Sequence, residues 1–157
     1  MNLGSNIRKY RLLKKLTQHE MGKKLGFAPK AAFTRVSAYE NNTVAPKNDI
    51  REKIAEILDI DISALSDNDY SSDIEIIRAL FTIQEKYGVS LDKSDSGISL
   101  VFNSDDNKND ALLAYLYDWY DAANKYKDDA IEYEKWKGRF PQDTQSRWHQ
   151  IKGECNS

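Results

Sequence analysis

The segment from Thr17 to Pro29 leaves the chain little choice of fold. Thr17-Gln18-His19-Glu20 reads as a capping box. The Thr17 hydroxyl accepts from the backbone N–H of Glu20, and the Glu20 carboxylate accepts from the N–H of Thr17. A helix therefore starts sharply at 17–18. It is short, because Gly26 follows Leu25 as its stop. Met21 and Leu25, four apart, supply its buried face. Phe27 to Lys30 forms a connector with Pro29, and another helix follows over about 31–41, with Val36 and Tyr39 inward.

The surroundings of this pair are helical as well. A first helix over 3–15 carries Ile7 and Tyr10 on one side, surrounded by Arg8, Lys9, Arg11, Lys14 and Lys15. Asn41-Asn42-Thr43 is a turn signal. Pro46 pre-sets a fourth helix over 47–58, with Ile50, Ile54, Ile57 and Leu58 inward. Asp61 caps a last short turn ending at Leu65. Charge divides the 157-residue chain at the same place. Residues 1–65 hold 12 Lys+Arg and 7 Asp+Glu, a net of +5, whereas residues 66–157 hold 11 and 18, a net of −7. Such asymmetry points to a polyanion partner for the basic half.

Five short helices with a tight second–third pair in a basic unit of this size resemble the Cro and lambda-repressor type helix-turn-helix family, also called XRE-like. The residues that carry the resemblance are Ile7-Arg8 and Arg11, Leu16-Thr17-Gln18, Met21-Gly22, Leu25-Gly26, Arg35-Val36-Ser37-Ala38-Tyr39-Glu40, Pro46 and Ile54 to Ile60. Two departures stand out. Gly22 occupies a place where the family usually has Ala, and four extra residues lie between Gly26 and Glu40. The insertion lengthens either the turn or the front of the recognition helix.

The resemblance implies a domain that binds double-stranded DNA, its second helix crossing the backbone and its third entering the major groove. Arg35 is then the foremost base reader, since a guanidinium donates twice to guanine O6 and N7. Thr34 and Ala38 would meet a base edge or a thymine methyl. Gln18, at the start of the second helix, would hold a phosphate. Lys30 would contact base or phosphate, and Asn41, Asn42, Thr43 and Lys47 would grip the next phosphates. Glu40 is expected to turn inward and pair with Arg11, a structural tie between the first and third helices.

The acidic half reads as α+β. After a polar stretch, a helix over about 72–87 carries Ile76, Leu80, Ile83 and Tyr87, with Ile74, Ile77 and Phe81 as a second stripe, and Gly88 stops it. Val89 to Leu91 and Ile98 to Phe102 read as two short strands around Asp92–Gly97. An isolated hairpin of this kind is marginal and needs a covering helix or a partner chain. A long helix is predicted over about 107–137. There Leu112, Leu116, Trp119, Ala123, Tyr126, Ala130 and Tyr133 keep a 4-3 spacing, a three-heptad seam read as a homodimer interface. Leu113, Tyr117, Tyr120 and Ile131 lie beside it.

The expected fold is thus mainly α. A five-helix DNA-binding domain over 1–66 is followed by a linker over 67–72, a dimerisation or regulatory unit over 73–138 and a mobile tail over 139–157. No apolar run approaches the roughly 18 residues that spanning a bilayer needs, and no secretory h-region opens the chain, so a cytoplasmic location is expected. Cys155 permits no internal disulfide. Asp105, Asn107 and Asn109 imitate a calcium loop, but Asp110 and Leu116 stand where a Gly and a Glu are required. His19 and His149 lack ligand-spaced partners. No metal, cofactor, catalytic residue or enzymatic activity is expected. The leading expectation is a dimeric, sequence-specific regulator of transcription, a repressor reading a palindromic operator, of the kind that serves phages and mobile elements. The alternative is an antitoxin-like protein-interaction module acting through the acidic aromatic half. A third reading places a small ligand near Tyr115, Tyr117 and Trp119.

Overall fold

A computed structural model describes residues 3–66, 70, 72–102 and 110–142. The calcium-loop imitation at 105–109, much of the predicted linker, His149, Cys155 and the tail from residue 143 lie outside the described residues. The described residues are mainly helical, with one antiparallel hairpin in the C-terminal half. They belong to two compact units, Met1–Asp69 with Ala122–Asp143, and Tyr70–Asp121 with Thr144–Ser157.

The first unit opens with α1 (Leu3–Leu13), α2 (Gln18–Lys24), α3 (Pro29–Glu40) and α4 (Asn48–Leu58), closed by a 3-10 turn over Ile62–Leu65. The Thr17 capping box is present in both directions. Gly26, at φ +84°, takes the left-handed turn that ends α2, a conformation that favours glycine. Asp61 accepts from the N–H of Ser63 and starts the 3-10 turn. Ile7, Met21, Val36, Ile54, Leu58 and Leu65 are fully buried and form one apolar cluster with Tyr10, Leu25, Tyr39 and Ile60. The four inserted residues lengthen the helix and not the turn: α3 begins at Pro29 itself, a residue suited to a helix's first position.

The long helix predicted over 107–137 is two helices, α6 (Asp110–Lys125) and α7 (Ala130–Arg139). The Asp129 carboxylate accepts from the N–H of Glu132 and starts α7 afresh. The 4-3 seam consequently does not run as one line. Leu112, Leu116, Trp119 and Ala123 lie on α6, Tyr126 in the turn, and Ala130 and Tyr133 on α7.

The second break with expectation is where α7 sits. It packs in the first unit, against α1 and the 3-10 turn. Asp61 donates its N–H to the Gly138 carbonyl at 2.8 Å, and Lys9 pairs with Glu134 at 2.8 Å. A Cβ built on Gly138 would lie 2.6 Å from the Tyr10 ring and 2.9 Å from Ile60, so only glycine lets these surfaces meet undisturbed. Phe140 and Pro141, at the start of the predicted tail, are half-buried.

In the second unit, α5 (Asp73–Tyr87) starts on a Ser72–Glu75 capping box and ends at Gly88, φ +63°. Strands β1 (Ser90–Ser94) and β2 (Gly97–Val101) pair Leu91 with Leu100 and Lys93 with Ile98 around a two-residue turn. The first strand is longer than the sequence suggests, the second keeps its length one residue earlier, and the turn is shorter. Of this unit's described apolar residues only Val89 and Ala114 are fully enclosed.

Candidate nucleic-acid interface

The outer face of α3 is what the first unit presents. Helical periodicity divides the element. Ala32, Val36, Tyr39 and Glu40 are buried, while Lys30, Thr34, Ser37 and Asn41 repeat at 4-3-4 spacing along the other side, all exposed but the half-buried Ser37. Phe33 flanks that line on one side and Ala38 on the other. Arg35 lies beyond Ala38, nearer the α2 side of the helix. It is exposed, with its guanidinium 5.2 Å from the centre of the Phe27 ring, a cation–π contact that steadies a long side chain. Phe27 in turn lies against Tyr39, ring centres 6.3 Å apart.

Three devices hold α3 in place. The first is the Arg11–Glu40 pair. Arg11 Nε donates to Glu40 Oε1 at 2.5 Å, Nη2 donates to Oε2 at 3.0 Å, and Nη1 donates to the Leu16 carbonyl at 2.6 Å. Gln18 Nε2 adds a bond to Glu40 Oε2 at 2.8 Å. Both charged side chains are nearly inaccessible, 8% and 2% exposed, so the fork-shaped geometry and the extra donors are what make this burial tolerable. The consequence for the interface is electrostatic. Glu40 is the one carboxylate on α3, and it is consumed inside.

The second device is Gly22. A Cβ there would lie 2.5 Å from the Ala32 carbonyl oxygen and 2.7 Å from its Cα. The family's usual alanine would therefore strike backbone, and the departure at this position permits a closer approach of α2 to α3. The third is Asn42. Its amide oxygen accepts from the N–H of Gly4 at 2.9 Å and so satisfies a first-turn donor of α1. A Cβ on Gly4 would meet the carbonyls of Tyr39 and Glu40 at 2.5 Å.

These bonds change the picture for two expected phosphate contacts. Gln18 is half-buried with its amide turned to Glu40, and Asn42 has its amide oxygen engaged with Gly4 at a backbone φ of +55°. Both serve first to position α3. Lys30, Thr34, Arg35, Asn41, Thr43 and Lys47 are exposed and Ala38 is half-buried, with Asn41 Nδ2 donating to Ser37 Oγ at 3.3 Å. Lys47 also precedes α4 as its N-terminal cap residue, without a side-chain bond to the helix. Phe33 was not among the expected residues. Its place three after Lys30 and four before Ser37 was the available signal.

Among the described residues, no group of His, Cys, Asp and Glu side chains is arranged to hold a metal ion, and no helix is long and apolar enough to cross a membrane. A cavity of about 300 Å³ opens elsewhere in the first unit, its lining apolar at Tyr10, Leu13, Leu58 and Ile60 and charged of both signs, Lys14 and Arg139 with Asp59 and Glu132. Tyr117 and Trp119, named for a ligand site, are exposed on α6.

Comparison with known proteins agrees with this geometry in one segment. Residues 7–65 match a protein family described as Helix-turn-helix. Searches of curated proteins and of solved structures returned no match. The matched segment contains α2 and α3, the Arg11–Glu40 tie and the Gly22 contact. Residues 7–65 are therefore a DNA-binding helix-turn-helix domain of the XRE type.

Proposed function

We propose that the protein is a sequence-specific repressor of transcription that acts in the cytoplasm as a dimer on a palindromic operator. The observation that carries the reading is the outer face of α3. It offers Lys30, Thr34, Arg35, Ala38 and Asn41, while its sole carboxylate is withdrawn into the Arg11–Gln18 network. Arg35 reads a guanine, Thr34 and Ala38 touch neighbouring base edges, and Thr43 and Lys47 neutralise phosphates. What supports a dimer is the apolar surface left open in the second unit, together with the two-fold symmetry that operators of such domains share with their proteins. Phosphate neutralisation and shape make no use of a catalytic group, and the reading assigns none.

The test is binding to duplexes selected from random sequence, repeated across a salt titration. Steep salt dependence and a two-fold symmetric footprint are expected. Arg35→Ala relaxes preference at one base pair per half-site, at about 1–3 kcal/mol, whereas Lys47→Ala weakens all sites alike. No affinity for any duplex at low ionic strength overturns the proposal.

A second reading is favoured by the same open surface. The acidic aromatic half binds a different protein, as an antitoxin-like module does, and the DNA-binding domain reports on that partner. Sedimentation of the full chain separates the two. A stable dimer at micromolar concentration supports the first reading, and a monomer that pairs only with a co-expressed protein supports the second.

A further inference from the structure

Phe33 has no structural duty that its neighbours reveal. It is 57% exposed, and it stands outside the apolar cluster that holds the first unit together. It is placed on α3 among residues of a definite kind. Lys30 and Ser37 are its neighbours one turn away, Thr34 follows it, and no carboxylate shares the outward surface, because Glu40 is enclosed by Arg11 and Gln18. A surface of this charge suits a polyanion and disfavours an acidic or neutral protein partner. It also lies in the front half of the helix, the part that reaches base edges when such a helix enters the major groove.

A phenyl ring has no donor and no acceptor. It cannot grip a phosphate, and it cannot read the amino, keto or ring-nitrogen pattern of a base. The major groove offers one apolar feature that distinguishes a base pair, the 5-methyl group of thymine. We propose that Phe33 is a specificity-determining residue that packs against a thymine 5-methyl group and gives the operator a thymine requirement in each half-site. The inference rests on the reading of α3 as the groove-entering helix. It adds a second chemistry to it, apolar selection beside the hydrogen-bond selection of Arg35.

Uracil isolates the effect, since it differs from thymine by that methyl alone. The full chain is titrated against its best selected duplex and against a set in which each thymine of the footprint is replaced in turn by uracil. One replacement per half-site is expected to weaken binding about fourfold, the worth of one buried methyl group. The same set is then titrated with F33A and F33L. Phe33→Ala binds the thymine duplex more weakly and no longer distinguishes uracil from thymine at that position. Phe33→Leu keeps part of the difference. Because Phe33 lies outside the core, both variants retain the wild-type unfolding midpoint, which separates loss of reading from loss of fold. Uniform wild-type affinity across the uracil set, with duplex binding intact, overturns the inference and leaves the reading of α3 standing. So does an F33A chain that keeps the full uracil penalty, which would assign the methyl to Thr34 or Ala38. Failure to bind any duplex overturns the reading beneath it, and is seen before any uracil is introduced.

Discussion

In residues 3–66 most large apolar side chains face one another, whereas in α5 and the hairpin most are exposed. Ile7, Met21, Ile54 and Leu65 are sealed, but Ile74 is 68% exposed, Phe81 57%, Leu91 65% and Ile98 72%. Apolar residues are more frequent in α5, 8 of 15, than in α1 or α4, 5 of 11 each. The two regions differ above all in closure. Four short helices and a turn in the first unit converge on one centre, and α7 adds a further wall against Tyr10 and Ile60. Among its described residues the second unit has α5, a two-stranded ribbon and most of α6, too few layers to enclose both faces of each. The lesson is that closure, more than apolar content, decides what a unit buries, and the open apolar side chains of the second unit are what the proposed dimer would cover.

The contrast is tested most severely at its best-packed point. Glu40→Ala leaves the Arg11 guanidinium buried without its carboxylate. Breaking a buried pair from one side costs about 3–5 kcal/mol, enough to lower the urea midpoint of the first unit by more than any other single change discussed. Arg11→Met combined with Glu40→Leu is expected to regain a large part of that loss, since the pair is then replaced by apolar volume. If Glu40→Ala unfolds at the wild-type midpoint, the pair is not the tie that fixes α3.

Gly22→Ala comes next. Ala32 backbone atoms occupy the space its Cβ needs, and overpacking of this kind costs about 1–3 kcal/mol. The gain in helix propensity returns about 1 kcal/mol. A net loss of up to about 2 kcal/mol is expected in urea unfolding, with weaker duplex binding because α2 and α3 are pushed apart. An unchanged or raised midpoint would mean that the helix pair relaxes to admit a methyl group.

These two sites also show which parts of the molecule were readable in the residues. Local chemistry was. The Thr17–Glu20 box, the Gly26 stop and the Asp61 cap each involve neighbours in sequence, and each is where its residue types require. The Arg11–Glu40 tie, 29 residues apart, came only through resemblance to a family. The division of α6 from α7 was missed although Asp129 and Glu132 carry a helix-start signature, because a 4-3 apolar spacing continues through the turn and periodicity alone cannot see a break in phase with it. The docking of α7 on α1 was beyond reach for a different reason. It depends on a missing side chain at Gly138, and absence of bulk has no period. Gln18 and Asn42 were read as phosphate contacts from their places in the helix-turn-helix pattern, and the pattern did not foretell that the Gln18 amide bonds Glu40 or that the amide oxygen of the exposed Asn42 accepts from Gly4.

Turning the comparison to the second unit reverses the sign of the expectation. Leu91→Ser with Ile98→Ser removes two large apolar groups from one face of the hairpin, yet substitutions at exposed sites usually change stability by no more than about 0.5 kcal/mol. The unfolding midpoint at low protein concentration should therefore stay put. Self-association, followed by sedimentation velocity, should be lost. A large drop in stability without any change in association would place these residues under cover within a single chain and remove the main support for a dimer.

The smallest effect lies where α7 meets α1, and pH resolves it. Partial burial works against the charge on Lys9, but its hydrogen bond to Glu134 and the pull of Tyr10 and Glu134 outweigh this and hold its pKa above the ordinary 10.5. Desolvation likewise disfavours the Glu134 carboxylate. The bonds from Lys137 and Lys9 outweigh it and hold that pKa below the ordinary 4.5. Glu134 therefore contributes stability that is present above its unfolded pKa and lost as pH falls through its folded one. Lys9 contributes stability that is present below 10.5 and lost as pH rises through its folded pKa. Between those limits the pair gives a constant amount, about 0.2–1 kcal/mol once solvent screening of two partly exposed groups is counted. A double-mutant cycle of Lys9→Met and Glu134→Gln at neutral pH should return a coupling in that range, which salt should shrink and acid below the carboxylate's pKa should abolish. A coupling indifferent to both would mean that α7 is held on α1 by the fit of Gly138 against Tyr10 and Ile60, with the charges as bystanders.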